Sequence, residues 1–89
     1  MSWSYDSSAL GTHLNWVRLM VGDTDTNVQL ISDEEITGAL ALEPRREQAA
    51  ALVADAIGAT FAARGGVKEA EGFFMLADRL RTLARPGYL

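Results

Sequence analysis

Four residues in one short stretch are of the types and at the spacing that could hold a calcium ion. In Gly22-Asp-Thr-Asp-Thr-Asn-Val-Gln-Leu-Ile-Ser-Asp-Glu-Glu35, counting from Asp23, the first, third and fifth places are Asp23, Asp25 and Asn27, and the twelfth is Glu34. A helix–loop–helix calcium site uses that order of oxygen ligands. Its sixth place calls for glycine, because the loop turns there with positive φ. The residue here is Val28, for which positive φ is an outlier. The ninth place, commonly polar, is Ile31. A separate helix-start signal, Ser32-x-x-Glu35, lies inside the supposed loop. The stretch therefore reads as one helix end, a turn and a second helix start, and no metal or other cofactor is expected.

The other candidate chemistry is thinner. His13, the sole histidine, stands within a helical pattern and has no nucleophile or orienting acid at a recognisable spacing. No glycine-rich phosphate motif occurs, and Gly65-Gly66 reads as a helix stop. The acids gather at helix starts and turns, where caps and dipoles already require them. No enzyme is expected. Arg79, Arg81 and Arg85 are placed to touch phosphates, but no aromatic or glycine-rich pattern accompanies them, and a solvated helix end beside a negative dipole is the favoured reading.

Four helices are expected to carry these residues. Leu10, Leu14, Val17 and Val21 recur at helical spacing, predicting a first helix from Ser8 to Val21 closed by Gly22. The Ser32 box opens a short second helix, Asp33 to Leu42, with Ile36 and Leu40 inward and Ile31 as the staple. Pro44 suits a first turn, giving a third helix from Pro44 to Arg64 with the stripe Ala49, Val53, Ala56, Ile57, Thr60 and Phe61. A fourth follows from Val67 to Ala84, striped by Phe73, Leu76, Leu80 and Leu83 with Phe74 and Ala77 beside them; Gly72 raises the possibility of a later start near Phe73. The fold class is all-α, a small four-helix domain with one short helix. Residues 1–7 form an extended leader and 86–89 a short tail of a single domain, 1–89.

Composition agrees. The chain has 89 residues, 22% charged and 48% hydrophobic, a globular balance with room for one modest core. The absence of cysteine excludes disulfides and thiolate metal sites and fits a reducing compartment. No signal peptide and no run long enough to span a membrane is expected. A net charge of −4 argues against a domain that chiefly grips nucleic acid. Residues 1–44 hold seven acids and one base, Arg18, whereas 45–89 hold seven bases and five acids. Two solvated faces explain that split; so does head-to-tail assembly.

Val17-Arg-Leu-Met-Val-Gly-Asp-Thr-Asp25, followed by Leu30-Ile-Ser-Asp-Glu-Glu-Ile36, resembles the paired blocks of small head–tail connector proteins of tailed bacteriophages and prophages. The alanine-rich Ala49–Ile57 stretch and Leu76-Ala-Asp-Arg-Leu-Arg81 are similar to that family's third and closing helices. The resemblance covers about Val17 to Arg81 and implies a structural virion protein of the neck, assembled in the host cytoplasm. The resemblance implies a homo-oligomeric ring of about twelve copies, a closed cyclic assembly docked under the portal protein. DNA would pass through the lumen without sequence-specific contact, and a downstream neck or tail-completion protein would dock beyond. Two departures stand out: the segment between the last two helices is short, and the chain ends soon after the last helix. Candidate contact residues are Trp3, Tyr5, Arg79, Arg81, Arg85 and Tyr88, with Asp23 and Asp25 of the acidic loop. For Trp3 and Tyr5 the alternative is packing onto their own helices. The competing reading of the whole chain is a small helical regulatory or DNA-binding module of antitoxin type.

Overall fold

The acids of the Ser32 box do what their order requires. Ser32 Oγ accepts from the Glu35 amide at 3.1 Å, and Glu35 Oε1 accepts from the Ser32 amide at 3.3 Å, opening α2 (Asp33–Leu42). In this computed structural model, residues 1–84 are described, and among them the chain is entirely helical and irregular, with no strand. The remaining elements are α1 (His13–Val21), α3 (Arg46–Ala63) and α4 (Val67–Leu83).

α1 begins five residues later than its apolar spacing suggests. Residues 6–12 make turns instead: the Ser8 amide donates to Asp6 Oδ1, and the Ala9 and Thr12 amides donate to the carbonyls of Asp6 and Ala9. Asn15, on α1, fastens the segment by accepting from the Asp6 amide and donating to Ala9 O. Short polar side chains thus satisfy a backbone that a helix would otherwise satisfy. Gly22 ends α1 at φ 77°, a left-handed cap suited to glycine. α3 starts at Arg46 rather than Pro44, because Arg45 is itself extended (φ −85°, ψ 124°) and stands as the residue before the helix. α4 runs from Val67 straight through Gly72.

α3 is the central helix, packed by each of the other three. Its inner surface is therefore wider than one stripe. Ala50, Ala51, Ala54 and Gly58 are buried beside Ala49, Val53 and Ile57, whereas Ala56 and Thr60 of the expected stripe are exposed. Small side chains let α4 approach closely: a Cβ on Gly58 would lie 2.7 Å from Phe74 Cε1. Phe61 and Phe73 stack across the same pair, with ring centroids 5.7 Å apart. Val17 and Val21 of α1, Ile36 and Ala39 of α2, and Ala77 and Leu80 of α4 complete the core. Leu83 is exposed, the outer end of its expected stripe.

Candidate functional site: an ionic clasp and an apolar groove

The residue that organises the acidic stretch is Arg18. It sits on α1 between Val17 and the partly exposed Leu19, and its side chain is completely buried. A buried guanidinium is costly unless its donors are met. Nη1 pairs with Asp23 Oδ2 and donates to Ile31 O at 2.9 Å; Nη2 pairs with Asp33 Oδ1 at 2.6 Å; Nε donates to Ser4 O at 2.6 Å. The Trp3 ring covers the guanidinium at 4.7 Å, adding cation–π attraction in a water-poor setting.

The two carboxylates are held from their other sides. Asp23 is also fully buried, accepting from the amides of Leu30 (3.0 Å) and Ile31 (3.1 Å) and from Trp3 Nε1 (3.1 Å). Asp33 accepts from the Ser4 amide and hydroxyl and is the first residue of α2, where the helix dipole favours an anion. Partial burial pushes the Asp33 carboxyl up, but hydrogen bonds from Arg18 and Ser4 outweigh it and hold the group below its ordinary value. Glu34 is held low by the Ser2 amide. The leader is thereby strapped across the start of α2, with the Asp33 amide donating to Ser2 O at 2.7 Å. Among the described residues, every buried side-chain nitrogen and oxygen has a partner.

The geometry at the ligand places differs from that of a helix–loop–helix calcium site. The first ligand place, Asp23, is occupied by a guanidinium, two amides and an indole. Val28 does not adopt positive φ, and among the described residues no group of three or more potential ligands gathers.

The candidate contact residues separate accordingly. Asp23 is internal and offers no surface, which corrects its place among contact candidates: its carboxylate is consumed by the clasp. Trp3 and Tyr5 are half-buried, and Trp3 packs on its own Arg18, the alternative entertained for it. Asp25 is exposed and caps its turn by accepting from the Asn27 amide at 2.8 Å. Arg79 is exposed, while Arg81 pairs with Asp55 of α3 at 2.5 Å. Arg85 and Tyr88 lie outside the described residues. Arg45 donates to Ala84 O and Arg46 covers the Trp16 ring at 4.3 Å, so both cations are engaged within the fold. His13 is exposed at the start of α1.

A second feature is legible only in three dimensions. Between α2 and α3 lies an open groove of about 630 Å³, floored by Ala39 and Val53 and walled by Leu42, Leu52 and Ala56. Glu35 is its one charged lining residue. Leu42 is 77% exposed at its edge. Comparison with protein-family models, with curated proteins and with solved structures found no match. Among the described residues, no helix is long and apolar enough to cross a membrane.

Proposed function

We propose that the chain is a head–tail connector, a structural protein that forms a ring beneath a phage portal, extends the DNA channel and presents a platform to the next neck or tail component. The observation that carries the reading is the role of the residues that bear the resemblance. Arg18, Gly22, Asp23, Ser32, Asp33 and Glu35 are the ones that bind α1, the acidic loop and α2 into one unit. The likeness thus falls on fold-determining positions at a fixed spacing, where a chance match of surface composition would not fall. The exposed groove gives such a domain something to assemble with, and a negative net charge suits a wall that DNA passes without sticking.

The DNA-binding alternative has less to support it, since Arg18, Arg45, Arg46 and Arg81 are engaged within the fold. The test is assembly. Purified chain mixed with the portal protein from its own genome is expected to yield a closed ring stacked on the portal in electron micrographs. A chain that stays monomeric and does not bind that portal would remove the reading.

A further inference from the structure

The groove between α2 and α3 is apolar and bears one anion, Glu35. Its chemical complement is on the same chain. Lys68, Gly72, Met75 and Arg79 follow one another along α4 at intervals of four, three and four, which places them in one row. All four are exposed, Met75 at 70%. The row therefore presents an unbranched apolar side chain beside a glycine, with a cation one to two turns away on either side. Methionine is the side chain best able to fill an irregular apolar gap, and the flanking cations suit a groove whose charge is an acid.

The row cannot reach its own groove. α4 packs on the side of α3 that carries Gly58 and Asp55, through Phe74 and Arg81. The groove uses Leu52 and Ala56. Gly58 is two positions from Ala56, about 200° around a helix, so groove and α4 lie on opposite sides of α3. The two surfaces are distinct and face away from each other, so a contact between them can repeat from copy to copy.

We propose that the groove seats the outer row of α4 from a second copy of this chain, with Met75 entering beside Leu42 and Leu52 and a cation meeting Glu35. Each copy then offers one groove and one row, and copies add head to tail. The proposal deepens the connector reading by naming the contact between neighbours, and it rests on that reading only for closure into a ring.

Two substitutions at exposed positions test it without touching the core: Leu42→Glu spoils the groove and Met75→Glu spoils the row. Native mass spectrometry of the wild type is expected to show species larger than a monomer, lost in either variant. Mixing the two variants restores one intact groove and one intact row, so a dimer forms and growth stops there. A wild-type monomer, oligomers unchanged in either variant, or a mixture that forms no dimer would each overturn the contact. Far-ultraviolet circular dichroism matching the wild type confirms that both variants fold. The two readings fail separately: portal-bound rings that survive Met75→Glu remove this contact and keep the connector, whereas a mixed-variant dimer without portal binding keeps the contact and removes the connector.

Discussion

At the scale of residues, one guanidinium governs how the N-terminal half folds. Arg18 draws the leader, the acidic loop and the start of α2 onto α1 through Ser4, Asp23, Ile31 and Asp33. Removing one partner of such a buried set leaves the others charged and unmatched, at a cost of about 3–5 kcal/mol. That is a large share of the roughly 5–15 kcal/mol typical of a domain. Arg18→Met and Asp23→Leu are each expected to lower the urea midpoint sharply, and the double variant to lose less than their sum, because the second change removes a charge the first left bare. Additive losses would mean the two residues act separately. The clasp also carries a pH dependence. Asp33 has a folded value below its unfolded one, so its contribution is complete above the ordinary carboxylate range near about 4 and is lost as pH falls through the lower, folded value. Urea midpoints are expected to decline on acidification through that range, and more shallowly in Asp33→Asn. An identical decline in that variant would place the acid sensitivity elsewhere.

At the scale of elements, the sequence was legible where a local rule acts alone. The Ser32–Glu35 box, the Gly22 cap and the bounds of α2 follow from side chains within four residues of each other. It was misleading where a distant or competing partner intervenes. Leu10 has helical spacing, yet Asp6 and Asn15 hold its neighbours in turns. Ala56 and Ala54 are the same residue type, yet one is exposed and the other buried, because burial on α3 depends on which of its faces the other helices cover. Arg18 carried a usable signal, a lone cation among seven acids and adjacent to an apolar stripe, but its burial depends on chain segments more than ten residues away. The α3–α4 pair gives the sharpest element-scale prediction. Gly58→Leu gains helix propensity of roughly 0.8–1.0 kcal/mol, yet drives a side chain into Phe74 and Ala70 O, where overpacking typically costs about 1–3 kcal/mol. The variant is expected to melt below the wild type. An unchanged or raised melting temperature would show that the two helices can part freely.

At the scale of the whole molecule, the charge split resolves into two unequal parts. Much of the acidic half's charge is internal or tied to the leader: Asp23 and Asp33 pair with Arg18, and Glu34 accepts from the Ser2 amide. Among the described residues, two surface features have no partner in the fold: the apolar α2–α3 groove on one side of α3 and the Met75 row on the other. Neither was visible in the sequence, because each depends on which helix faces remain uncovered after packing. A small domain with two opposed, complementary surfaces is suited to repeating assembly. The connector reading requires that this assembly close around an axis and seat on a portal. Electron microscopy of the chain with the portal protein of its own genome tests that most directly. The account predicts a coaxial ring of this chain on the portal, with an open central channel; a portal left bare beside monomeric chain would contradict it.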